Sequence, residues 1–65
     1  MLHCLRLTRS HDGSEFVIQA IHVESFWADE ATGGSFVRGA SGEVTRVKES
    51  PAKIRGDIKH ANAWG

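Results

Sequence analysis

The side chains best suited to hold a metal ion or move a proton in this chain are His3, Cys4, His11, Asp12, His22 and His60. A zinc centre draws its ligands from short, fixed spacings such as C-x-x-C or H-x-x-x-H. None of these residues falls into such a spacing. His3 and Cys4 are neighbours in an alternating segment, and successive side chains of a strand point to opposite faces. We therefore expect no metal site, with Cys4 a core thiol and the histidines at surfaces or edges. A Cys–His nucleophile pair needs an oriented base and a cleft, for which a small sheet has little body. Gly33-Gly34 precedes a strand pattern rather than a helix, so a phosphate-cradling loop fails on context. The reading is of a chain without catalytic residues or cofactor, hence not an enzyme.

Two groups of residues suit binding instead. Glu24, Asp29 and Glu30 form a local acidic cluster around Trp27. Neither Trp27 nor Trp64 belongs to a strong periodic pattern, and exposed tryptophan marks interfaces. Phe26, Trp27 and Trp64 are thus the candidate partner-binding residues. The second group is basic. Residues 1–33 hold two basic and five acidic residues, whereas 34–65 hold six basic and three acidic ones. Arg38, Arg46 and Lys48 fall on two consecutive strand patterns and share a face if the register allows. Such a stripe can track phosphates, which makes nucleic-acid binding the alternative function.

Sixty-five residues allow one domain, 1–65, and no more. Lys+Arg and Asp+Glu are 8 each, apolar residues 40% and charged residues 25%. That is the composition of a globular domain, not of a disordered acidic tail or a polybasic arm. Apolar runs do not exceed three residues, far short of the roughly 20 that span a bilayer. No signal peptide is expected, because His3 and Arg6 interrupt the opening apolar residues. The lone cysteine excludes an intrachain disulfide and points to the reducing cytoplasm. So small a core gains from a second copy or a partner, and we expect a homodimer.

The elements follow from periodicity. Leu5 and Leu7 alternate with Cys4, Arg6 and Thr8, predicting a strand over 2–8. Asp12-Gly13 supplies the hairpin turn, and Phe16-Val17-Ile18 a strand over 15–19. Ile21, Val23 and Ser25 alternate with His22, Glu24 and Phe26, predicting a strand over 21–26. Residues 28–34 read as a loop, 35–39 as a strand, Ala40-Ser41-Gly42 as a turn and 43–48 as a strand. Ser50-Pro51 is a helix start, with a side-chain cap followed by proline at the first helical position. Ile54, Ile58 and Ala61 form the apolar stripe of a helix over 51–61, with Asn62–Gly65 a tail. The expected fold is α+β, mainly β: a single small antiparallel curled sheet or partial barrel of about five strands, with one C-terminal helix. Its expected core is Leu5, Leu7, Phe16, Ile18, Ile21, Val23, Phe36, Val44 or Val47, Ile54 and Ile58. Edge pairing is expected at the first strand and at 35–39.

The passage Gly42-Glu43-Val44-Thr45-Arg46-Val47-Lys48-Glu49-Ser50-Pro51-Ala52-Lys53-Ile54, with Leu7-Thr8-Arg9, Asp12–Ile18 and Ile21-His22-Val23-Glu24, resembles the small flagellar FlbD-type family. The run into Val47-Lys48-Glu49-Ser50 is also similar to the β-rich DNA-binding domain of LytTR response regulators. The resemblance implies a non-enzymatic small bacterial or phage protein. The reading adopted is a non-catalytic interaction or regulatory module that binds a protein partner, and no membrane.

Overall fold

The structure, a computed structural model, describes the backbone of residues 4–64 and the side chains of residues 4–60. Its elements are β1 (Cys4–Thr8), β2 (Glu15–Gln19), a 3-10 turn (Ala20–His22), β3 (Val23–Ala28), β4 (Ser35–Gly39), β5 (Val44–Val47) and α1 (Pro51–Trp64). The protein is thus a small, mainly β member of the α+β class. Leu2 and His3, expected in the first strand, and the side chains of Ala61 and Trp64 lie outside the described residues.

The strands form two antiparallel ladders, β1-β2 and β3-β4-β5, which do not close into a barrel. They are sewn together at one corner. Arg9 bridges Val47, the Lys48 N–H donates to the Thr8 carbonyl at 2.9 Å, and the Ser10 N–H donates to the Arg46 carbonyl at 2.9 Å. The curled single sheet expected from the sequence is this pair of ladders, continuous only across that seam.

Turn chemistry sets the hairpins. Gly13 takes φ +76° and Gly42 φ +90°, the left-handed region that glycine enters without a Cβ clash. The Asp12 carboxylate accepts from the Ser14 N–H at 2.9 Å and from the Ser14 hydroxyl at 2.7 Å, a side-chain copy of a backbone turn. Register then pairs Leu5 with Ile18 and Leu7 with Phe16, so one face of this hairpin is apolar.

The core consists of Leu5, Leu7, Val37, Val47 and Ile54, with Phe16, Ile18, Ala20, Val23, Phe26 and Ile58 packed around it. Three expectations about it are corrected, on Ile21, Phe36 and Cys4, and one alternative is decided. Ile21 is 74% exposed, because residues 20–22 turn as a 3-10 element instead of extending, and β3 starts only at Val23. On β4 it is Val37 that faces inward, while Phe36 is half-buried on the other face. Ser35 can share the inner face because its hydroxyl donates to the Glu49 carbonyl at 2.7 Å. Of Val44 and Val47, only Val47 is buried. Cys4 is exposed rather than a core thiol, since Leu5 and Leu7 take the inner parity of β1.

Two expectations about edges and ends also change. β4 lies in the middle of its sheet and is no edge, whereas β1 is an edge of its ladder as expected, joined to β5 only at the Arg9 corner; β2 and β3 are the edges away from that seam. The helix runs through Trp64, because no proline or glycine interrupts Ala61-Asn62-Ala63-Trp64. Its start is as read: Ser50 Oγ accepts from the Lys53 N–H at 3.3 Å, and the Ser50 carbonyl accepts the Ile54 N–H at 3.1 Å. Glu49 locks this start to β1. Its carboxylate accepts from the Thr8 N–H at 2.8 Å and the Thr8 hydroxyl at 3.0 Å.

Candidate binding surface

Residues paired across an antiparallel ladder share a face. Trp27 pairs with Phe36 and Phe36 with Arg46, while Ser25 pairs with Arg38 and Arg38 with Val44. The outer face of the β3-β4-β5 sheet therefore carries Trp27, Phe36, Val44, Arg38 and Arg46. Phe26 has the opposite parity and packs against the core, so of the aromatic pair Phe26–Trp27 only Trp27 faces outward.

Three of these side chains stack in a row. The Trp27 and Phe36 rings lie 5.7 Å apart at 23°. The Arg46 guanidinium sits 5.5 Å from the centre of the Phe36 ring, a cation–π arrangement. Trp27 is 43% exposed and Val44 49%. An exposed indole thus stands at one end of a row whose other members hold it in place.

No family model matches this chain, and neither does any curated protein or solved structure.

The far end of the row is fixed by a carboxylate. Arg46 Nε donates to Asp29 Oδ2 at 2.5 Å, and Nη2 donates to Oδ1 at 3.4 Å. Asp29 also accepts from the Ala31 N–H at 3.2 Å and the Thr32 hydroxyl at 2.8 Å. Its backbone carbonyl accepts from the Gly33 N–H at 2.9 Å. The Arg46 bond, aided by Thr32 and Ala31, holds the Asp29 carboxyl below the usual carboxylate range, against the opposing effect of burial. The same bond raises the Arg46 pKa.

Arg38 and Arg46 share the outer face, and both have acidic partners. Arg38 Nε lies 3.5 Å from Glu24 Oε1, and Arg46 is held by Asp29. Lys48 follows β5 and reaches toward the β1–β2 turn, its Nζ 4.0 Å from where a Cβ on Gly13 would stand. Trp64 lies outside the described side chains. Among the described residues, no three His, Cys, Asp or Glu side chains gather as a metal site would require.

Sequence reasoning missed Phe36, assigned to the core, and Asp29, taken for part of a solvated acidic loop. A signal for both was present. Asp29-Glu30-Ala31-Thr32-Gly33-Gly34 has an aspartate four residues before a left-handed glycine, Gly33 at φ +79°. A loop closed on Asp29 and Gly34 sets Trp27 opposite Phe36 by simple counting.

Proposed function

We propose that this protein is a non-catalytic interaction module, which binds a protein partner on the outer face of its three-stranded sheet with Trp27 as the anchor. The observation that carries this reading is the Trp27–Phe36–Arg46 stack. It offers a large, half-exposed indole that needs little further ordering on binding. Aromatic and arginine side chains at the centre of a patch, with paired charges at its rim, are the usual anatomy of a protein interface. Val44 extends the apolar area beside Arg38.

Nucleic-acid binding is the weaker reading. Two of its three cations already face carboxylates, which cancels the field a phosphate backbone would follow. The resemblance to the flagellar FlbD-type family, with the cytoplasm of a bacterium or the setting of a phage, accords with a small regulatory binder.

The test uses a photo-reactive amino acid in place of Val44, which leaves Trp27 intact. The cross-linked partner is identified and rebuilt from purified proteins. Trp27→Ala should then weaken binding by ten-fold or more, as loss of an aromatic anchor does. Equal binding by the variant overturns the proposal. Salt-sensitive binding of a short DNA or RNA duplex, abolished by Arg38→Ala with Lys48→Ala, would establish the nucleic-acid reading instead.

A further inference from the structure

We propose that two copies of this chain associate by antiparallel pairing of their β2 strands about a two-fold axis at Val17. This surface is separate from the Trp27 face.

The hydrogen bonds of Thr8 show which way β2 points its backbone. The Thr8 N–H donates to Glu49 and the Thr8 carbonyl accepts from Lys48, so both groups face away from β2. Thr8 opposite Glu15 is therefore a pair without mutual ladder bonds. In an antiparallel ladder such pairs alternate with bonded ones. Arg6–Val17 and Cys4–Gln19 belong to the same set. The N–H and C=O groups of Glu15, Val17 and Gln19 consequently point to the side of β2 away from β1, where among the described residues β2 has no neighbouring strand. The Glu15 carbonyl accepts from Arg9 Nη1 at 2.6 Å, which marks one end of this open edge.

The two edges away from the seam, β2 and β3, differ in protection. β3 is bulged between Val23 and Ser25, places the charged Glu24 there and packs against α1. Bulges, charges and covering elements are the means by which edges avoid pairing. β2 has no bulge or proline, its charges, Glu15 and the Arg9 guanidinium on the Glu15 carbonyl, stand at one end only, and the middle of its edge is Val17, 48% exposed. A lone two-stranded ladder is also marginal, and a four-stranded one is not.

The sequence of β2 is self-complementary about Val17. A two-fold there sets Val17 against Val17, Glu15 against Gln19 and Phe16 against Ile18 of the other copy. No like charges meet, and the carboxylate faces an amide donor. On the inner side, the pairing of Phe16 with Ile18 extends the apolar floor of an open cleft of about 360 Å³. That cleft is lined by Phe16, Ile18, Gly39, Glu43 and Thr45 among others. An isologous contact of this kind closes at two subunits.

The test is solution mass by light scattering from about a millimolar down a hundred-fold dilution, with the full chain. The wild type should show twice 7.1 kDa at the high end and fall on dilution. Val17→Lys sets like charges at the axis and should remain at 7.1 kDa, with an unchanged circular dichroism spectrum. Trp27→Ala should dimerise as the wild type does. A second route keeps the test decisive if Val17→Lys fails to fold. Val17→Cys in a Cys4→Ser background should form a disulfide dimer under oxidised glutathione, and Val44→Cys in the same background should not. A wild type that stays at 7.1 kDa throughout, a folded Val17→Lys dimer, or equal cross-linking by both cysteines overturns the proposal.

Discussion

Asp29 and Arg46 stand 17 residues apart and meet with Nε at 2.5 Å from Oδ2, although Asp29 is only 4% exposed. The pair ties the β3–β4 loop to β5, and through the guanidinium it braces the Phe36 ring beneath Trp27. A buried carboxylate is tolerated there because it is paired and hydrogen-bonded on every side the loop offers.

This pair makes part of the stability acid-labile. The folded-state pKa of Asp29 lies below its ordinary 3.8, chiefly through Arg46. The stabilisation is therefore present above pH 3.8 and is lost as the pH falls from there through the lowered folded value. Glu49 acts in the same direction from its ordinary 4.5: burial opposes the charge, but the Thr8 bonds prevail. Urea midpoints measured from pH 7 to 2.5 should fall more steeply for wild type than for Asp29→Asn. Parallel curves would show that the ion pair carries no stability.

Three glycines separate three physical causes. A Cβ on Gly34 would overlap the Val47 carbonyl oxygen and press on the Lys48 backbone. Gly34→Ala should cost more than about 3 kcal/mol or prevent folding, since backbone cannot yield as a side chain does. Gly33 has open space but φ +79°, so Gly33→Ala should cost about 1–2 kcal/mol. Gly56 lies in the helix with nothing near it, and Gly56→Ala should stabilise by about 0.5–1 kcal/mol. Thermal unfolding of the three variants checks the order.

Ile54 is 0% exposed and is the main attachment of α1 to the sheets. Ile54→Ala should cost about 2–5 kcal/mol, comparable to the whole stability of so small a domain. Ile54→Asp should not fold, because its carboxylate would be buried without a partner. A cooperative melt of Ile54→Asp within a few degrees of wild type would refute this docking.

Exposed apolar residues should behave differently from one another. Ile21, 74% exposed, belongs to the class of surface positions where substitution changes stability within about 0.5 kcal/mol, and Ile21→Ser tests that. Trp27→Ala also loses the stack on Phe36 and should cost about 1 kcal/mol while the fold survives. Denaturant midpoints on both, with a spectrum to check folding, decide the matter.

The sequence by itself determined the local structure: the hairpin turns at Gly13 and Gly42, the period-two strands and the Ser50 cap. Each rests on interactions within a few residues, so spacing and residue type suffice to read it. The same holds for the inward parity of Leu5 and Leu7, where one apolar set alternates with polar neighbours. Only the tertiary structure decided that Val37 and not Phe36 enters the core, that Ile21 points to solvent, and that β4 is a central strand while β2 and β3 are edges away from the seam. In β4 both faces carry an apolar residue, so periodicity cannot choose between them. The choice was made from outside the strand, by the close approach of Gly34 to Val47, the Glu49 carbonyl that satisfies Ser35, and the Asp29 carboxylate that draws Arg46 across the outer face. These contacts join residues far apart in the chain, and it is their combined geometry, not any local preference, that sets the register and leaves Trp27 exposed on its stack.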